Sequence, residues 1–258
     1  MKFGLDGYFD RIGWHPNGES RFEQMNTVHM RHVMSIPFEN LDAYMKKPVS
    51  LNPVDIYNKL VLQKRGGYCF EMNALLFLAM QAMGFEIKPY AARVCRARTG
   101  YSGFSHRVNI VSLEGSRYIL DVGFGGTGFL TPVLLEENLI QEQRLNTYRL
   151  VRSDKVDFAV QCMRDGVFSD MIGFNDRPAV DEDFEIGNYF TSTHPRSFFT
   201  GNIVCMIVGE CGRYSLLNDS LTITEGSLSK QIMISRDELP GVLRTYFKME
   251  LEEAAQML

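Results

Sequence analysis

The sequence predicts an α+β fold, helices first and an antiparallel sheet after them. Three observations carry this expectation. Apolar residues recur at helical spacing as far as Gly84, and from Glu86 to about residue 170 they fall into short strand-like alternations. The final third then returns to short strands closed by one amphipathic helix. The alternating middle stretch is expected to form an antiparallel sheet closed into a small barrel.

Each element has a local reason. Ser20 and Glu23 form a capping box, and Phe22, Met25, His29 and His32 follow on one helical face. Pro37 ends that helix, because the residue before a proline is driven out of the helical region. Phe38 is then expected as a loop aromatic. Asn52-Pro53 opens the next helix, with Ile56, Tyr57, Leu60 and Val61 as its apolar face. A Gly66-Gly67 turn ends it. From Cys69 to Met83 apolar residues surround the helix almost completely, which makes it a buried central helix, and Gly84 stops it. Residues 86–95 read as a strand with an edge or bulge at Pro89. Residues 99–105 read as a polar connection, and 106–113 and 117–122 as two strands about a turn at Glu114-Gly115. Residues 184–200 read as a polar and aromatic linker that roofs a cleft. Residues 203–208, 213–217 and 221–224 read as short strands. Ser235 and Glu238 cap a last helix carrying Leu239, Val242, Leu243 and Phe247.

Composition narrows the class of function. At 258 residues, 45% hydrophobic and 22% charged, the chain has the makings of a full core and not of a disordered segment. A net charge of -4 argues against a general polyanion binder, so no nucleic-acid partner is expected, although a local basic patch for a phosphorylated cofactor needs only a few donors. Five cysteines, at 69, 95, 162, 205 and 211, show no CxxC spacing and leave an odd one over, the pattern of a reducing compartment. The N-terminus lacks the apolar stretch of a signal peptide, and the longest apolar run, Ala74–Met80, is far too short to span a bilayer. A cytoplasmic location with no membrane partner is therefore expected. His29 and His32 have no third ligand nearby in sequence, so no metal is assigned.

The chemistry centres on Arg65-Gly66-Gly67-Tyr68-Cys69-Phe70-Glu71-Met72-Asn73. A glycine turn delivers Cys69 to a helix start, where unpaired N–H groups and the macrodipole favour the nucleophilic thiolate. A base and an orienting acid are needed to complete such a site. If Glu114 and Gly115 form a two-residue hairpin loop, 108 faces 121 and 106 faces 123. His106 and Asp121 then share a face, with Cα atoms roughly 7–8 Å apart; a three-residue loop would put them on opposite faces. Cys69, His106 and Asp121 thus make a papain-like Cys-His-Asp set in which imidazole takes the thiol proton and the carboxylate fixes the ring. Gly123-Phe124-Gly125-Gly126-Thr127-Gly128-Phe129 follows, a stretch able to cradle phosphate oxygens or simply to bend a barrel corner.

RGGYCFEMN, with PFENL at 37–41, SHRVNIV at 105–111, YILDVGFGG at 118–126 and NYFTSTHPRSFF at 188–199, resembles the arylamine N-acetyltransferases. The resemblance implies an N-terminal helical bundle over 1–84, a β-barrel over 85–187 and a C-terminal α/β lid over 188–258, with catalytic roles on Cys69, His106 and Asp121. It implies acetyl-CoA as donor and an arylamine, arylhydrazine or N-hydroxyarylamine as acceptor, with an acetyl-Cys69 intermediate and ping-pong kinetics. By position in these blocks, Phe38, Tyr68, Phe70, Val94, Phe124 and Phe199 line the acceptor pocket, and Ser102, Gly103, Gly126 and Thr127 are the candidates for coenzyme contacts. Two other enzymes fit the same residues: an amide synthase of natural-product assembly with the same fold, and a cysteine hydrolase or transglutaminase-like enzyme. The oligomeric state and the natural acceptor are not encoded in any of these features.

Overall fold

The computed structural model describes residues 3–96, 100–210, 212–226 and 228–251. Its N-terminal part is helical: α1 (Leu5–Ile12), α2 (Arg21–Ser35), a two-residue strand β1 (Phe38–Glu39), α3 (Leu41–Tyr44), α4 (Pro53–Tyr57) continued by a π-helical turn over Asn58–Leu62, and α5 (Cys69–Ala82). The capping box forms, with the Ser20 N–H donating to the Glu23 carboxylate at 2.9 Å and the Glu23 N–H to Ser20 Oγ at 3.3 Å. Met25, His29 and His32 are buried, whereas Phe22 stays at the margin against Tyr118. Phe38 is not in a loop, because it pairs with a strand contributed from the far end of the chain. Asn52 Oδ1 accepts the Val54 N–H at 2.9 Å, and Pro53 takes the first helical position.

The barrel consists of β2 (Glu86–Arg96), β3 (Gly100–Leu113), β4 (Ser116–Leu120), β5 (Val133–Leu134), β6 (Gln141–Glu142), β7 (Thr147–Val151), β8 (Phe158–Arg164) and β9 (Val167–Phe174). The sheet runs β5-β4-β3-β2-β9-β8-β7-β6 with antiparallel pairs, and its outer strands are tied by side chains that imitate a ladder. The Gln141 amide donates to Leu134 O and accepts from Leu134 N, both at 2.8 Å, and Gln143 does the same for Thr131. These bonds satisfy the open edges and leave the barrel nearly closed. Residues 100–105, expected as part of a polar connection, are instead the first half of β3; Thr99 lies outside the described residues. Their polar side chains conceal a strand whose register against β2 is bulged near Arg93, and Ser102 Oγ itself accepts the Val94 N–H at 3.0 Å.

The last part holds α6 (Asp181–Thr193), β10 (Val204–Val208), β11 (Gly212–Leu217), β12 (Ser220–Glu225), β13 (Leu228–Met233) and α7 (Leu239–Phe247). The second sheet runs β1-β10-β11-β12-β13, so the N-terminal PFENL stretch supplies its edge. The expected linker over 184–200 is mostly helix, and the expected boundary between 187 and 188 falls inside it. Asp181, Glu182 and Asp183 suit the positive end of a helix, and the Asp183 carboxylate accepts the Val180 N–H at 3.1 Å. Strand β13 has no sequence signature, because it is almost wholly exposed and shows no inside–outside alternation. No helix among the described residues is long and apolar enough to cross a membrane.

Candidate active site

Cys69 opens α5 and is buried, with Sγ 3.7 Å from the Ser105 carbonyl oxygen. The hairpin that brings the other two candidates has the required two-residue loop. Leu113 faces Ser116, and Glu114 and Gly115 both have positive φ, +52° and +78°, as a type I′ turn demands. His106 Nε2 and Asp121 Oδ2 lie 2.6 Å apart. The expected pairs 108/121 and 106/123 do not form, because the β3–β4 ladder ends at Asn109/Leu120. Beyond it the chain is held by helices: the Asp121 N–H donates to His29 Nε2 at 3.1 Å, and the Val122 N–H to Asn73 Oδ1 at 3.0 Å.

Asp121 is buried and fully engaged. Its Oδ1 accepts from Asn73 Nδ2 at 2.8 Å and from the Gly123 N–H at 3.0 Å, while Oδ2 faces His106. Burial alone would raise its pKa, but His106, Asn73 and the Gly123 N–H outweigh it and hold the carboxyl below its usual range. For His106 burial opposes the charge, and Asp121, aided by Cys69, overcomes it and pushes the imidazole up to about 10. The favoured pair is therefore imidazolium and carboxylate. Because Nε2 is committed to Asp121, Nδ1 is the nitrogen left for the thiol.

Asn73, one turn beyond Cys69 on α5, joins three elements. Its Nδ2 also donates to Arg107 O at 2.7 Å, and its own carbonyl accepts from Asn109 Nδ2 at 2.8 Å. In the sequence Asn73 belongs to the Cys69 motif with no assigned task, and its i+4 spacing from Cys69 is the one local signal of it. His29, expected only on a helical face and without a metal, supports the acid. Burial lowers its pKa to about 4, and the neutral ring accepts from the Asp121 N–H while Nδ1 bonds Leu130 O at 3.2 Å. Gly123 serves close approach: a Cβ there would sit 2.6 Å from Cys69 Cα and 2.9 Å from Asn73 Nδ2.

Above Cys69 and His106 opens a cleft of about 1260 Å³. Of the six aromatic or apolar walls expected, Phe38, Val94, Phe124 and Phe199 line it. Tyr68 and Phe70 do not; they stand one layer behind, Tyr68 edge-on to Phe199 and Phe70 against Phe184. Ser102 and Gly103 are on the wall, but Gly126 and Thr127 are not. The Gly126 N–H points at the Met206 sulfur, and Thr127 Oγ1 at that of Met171. Three exposed arginines on separate segments, Arg96, Arg177 and Arg196, line the cleft with no carboxylate partner among the described residues. Their convergence is not visible in the sequence.

The other sulfur and imidazole groups lie elsewhere. Burial pushes the Cys95, Cys162 and Cys205 thiols up, away from the reactive form, and Cys211 lies outside the described residues. His32 meets the Tyr8 hydroxyl, His15 pairs with Asp10, and His194 stacks on Phe190.

Known proteins share this architecture. A family model described as N-acetyltransferase matches residues 21–256. The arylamine N-acetyltransferase of Mycolicibacterium smegmatis is 32% identical over 238 residues, covering 90% of this chain and 86% of the relative. The solved arylamine N-acetyltransferase of Salmonella typhimurium superposes with a TM-score of 0.93 at 26% identity, covering 99% of this chain and 97% of that one. The Mycobacterium marinum arylamine N-acetyltransferase in complex with CoA gives 0.91 at 28% identity, covering 98% and 96%. The match of an N-acetyltransferase model to most of the chain, together with these relatives, places the chain in the arylamine N-acetyltransferase family of acyltransferases.

Proposed function

We propose that this chain moves an acetyl group from acetyl-CoA through Cys69 to an arylamine, arylhydrazine or N-hydroxyarylamine, with His106 and Asp121 completing the catalytic set. The observation that carries this reading is a helix-start thiol beside a buried imidazolium–carboxylate pair at the floor of an aromatic cleft. The Cys69 thiolate attacks the thioester carbonyl and the C–S bond to coenzyme A breaks, the departing sulfur taking the proton held by His106. Acetyl-Cys69 remains. The acceptor nitrogen or oxygen then attacks that carbonyl, its proton passes to His106, and the Cys69 thiolate leaves again. Asp121 keeps the ring oriented and its charge compensated through both halves.

Phe38, Phe124 and Phe199 supply flat apolar walls for an aromatic acceptor. Ser102 and Gly103 contact the coenzyme, and Arg96, Arg177 and Arg196, rather than Gly126 and Thr127, are the donors to its phosphates, since guanidinium forks match phosphate oxygens. Unpaired thiols at all four described cysteines fit a cytoplasmic location. Mixing the protein with acetyl-CoA is expected to add one acetyl group on Cys69, read by intact mass, and Cys69→Ala is expected to abolish the shift. Release of coenzyme A with no acyl-enzyme, or discharge of the acyl-enzyme to water in preference to every amine offered, would overturn this reading.

A further inference from the structure

A second cleft, of about 1340 Å³, opens on the other side of α6, and neither Cys69 nor His106 lines it. Arg107 reaches it from β3, the strand that carries His106. Neighbouring strand residues project to opposite faces, so one strand serves both clefts. Arg107 is 6% exposed, and its guanidinium lies 4.6 Å from the Phe184 ring centre and 5.2 Å from that of Phe77. Its Nε makes one long contact, 3.5 Å to Asn109 Oδ1, and its two terminal nitrogens have no hydrogen-bond or ion-pair partner among the described residues. A buried guanidinium without a counter-ion in direct contact is costly, and a group held so beside open space is poised to take one.

The surroundings define the ligand. Ala74, Phe77, Leu78 and Phe184 give the cleft an apolar wall beside Arg107, which suits a hydrocarbon or aromatic body. Asp181 lies close enough to act on the Arg107 charge, and Glu185 also lines the cleft. Lys46 and Lys47 line the cleft as well, so three cations face two carboxylates, which leaves room for one added negative charge and opposes two. We propose that this cleft binds a small organic monoanion, a carboxylate on an apolar body, through the terminal nitrogens of Arg107. A planar carboxylate matches the guanidinium fork and places its apolar body against the phenyl rings.

The proposal does not depend on the acetyl-transfer reading, so its test is a binding measurement. Titrating the full chain with 4-fluorobenzoate, followed by fluorine NMR, is expected to show saturable binding that persists after Cys69 is blocked with iodoacetamide. Arg107→Met is expected to weaken it about tenfold or more, as loss of a charge-assisted hydrogen-bond pair requires. Replacing an unpaired buried charge with a long apolar side chain favours folding, so this variant remains measurable. Arg107→Lys, which keeps the charge and loses the fork, is expected to bind more weakly than the parent, and Glu185→Gln more tightly. Unchanged affinity in Arg107→Met, loss of binding on blocking Cys69, or absence of saturation would overturn the proposal. Inorganic phosphate displacing the probe at neutral pH at equal or lower concentration would overturn the monoanion assignment.

Discussion

At the scale of single residues, the candidate site depends on groups that never touch a substrate. Asn73 supplies hydrogen bonds to Asp121 and to Arg107 O and accepts one from the Val122 N–H, all buried from bulk solvent. Asn73→Ala strands these partners, and a cost of ~2–4 kcal/mol is expected, since each unsatisfied buried group carries a desolvation penalty. Denaturant unfolding should show it, and coenzyme release from acetyl-CoA should slow by about ten- to a hundredfold as the acid loses its position. A variant with parental stability and rate would show that Asn73 is dispensable. The His106–Asp121 pair makes a pH prediction. The folded pKa of His106 rises from 6.5 to about 10, so its contribution is complete below pH 6.5 and is lost as pH climbs through about 10. The folded pKa of Asp121 falls below 3.8, so its contribution is present above 3.8 and is lost as pH drops through the lowered value. The stability margin of the parent over a His106→Gln/Asp121→Asn double variant is therefore expected to be larger near about pH 6 than near about pH 10. An equal margin at both would contradict an ion pair. The three candidate catalytic residues were legible because cysteine and histidine are sparse, five of each in the chain, and a glycine turn and a two-residue hairpin mark where one of each sits near an acid. Asn73 and His29 were not, because their tasks are hydrogen bonds across 48 and 92 positions.

At the scale of elements, the start of α5 is held by a buried charge network. Lys59 Nζ lies 2.8 Å from Glu71 Oε1 and 2.6 Å from Asp42 Oδ2, and Arg65 Nη2 is 2.7 Å from Glu39 Oε1. Glu71 in turn accepts the Tyr68 N–H at 3.1 Å, one residue before Cys69. Burial pushes the Glu71 carboxyl up while Lys59 pulls it down, so the network stands on the lysine. Lys59→Met is expected to cost ~3–5 kcal/mol, the usual price of leaving a buried charge unpaired. Urea unfolding checks this, and a change below ~1 kcal/mol would mean that the network is solvated like a surface pair. Helix α6 shows the reverse case, in which local sequence hides an element. Its Thr, Tyr, Ser and Gly residues are weak helix formers, yet Gly187 lets the helix lie so close that a Cβ would meet Phe104 O at 2.7 Å. Packing overrides propensity there.

At the scale of the whole molecule, the helical N-terminal part and the last third of the chain are joined beside the site. β1 pairs with β10, with Glu39 opposite Cys205, and Asn40 Nδ2 donates to Phe199 O at 2.7 Å and Asn202 O at 2.8 Å while Oδ1 accepts the Val204 N–H at 2.7 Å. Asn40→Ala is expected to cost ~1–3 kcal/mol, because three backbone groups lose their partner. Hydrogen exchange should accelerate around Val204 and leave the barrel amides unchanged, whereas uniform acceleration would mean that Asn40 supports the fold as a whole. The sequence by itself determined the helical start, the antiparallel hairpin and its two-residue turn, the thiol at a helix N-terminus and the residue types of the site, because caps, turns and periodicity act over a few neighbouring residues. Tertiary structure alone decided which walls face the cleft, that Gly123 is there for close approach, that α6 is a helix, and that Arg107 turns its unpaired guanidinium to a second cleft. Those outcomes rest on contacts between segments far apart in the chain, and no local pattern records which surfaces meet when the core excludes water.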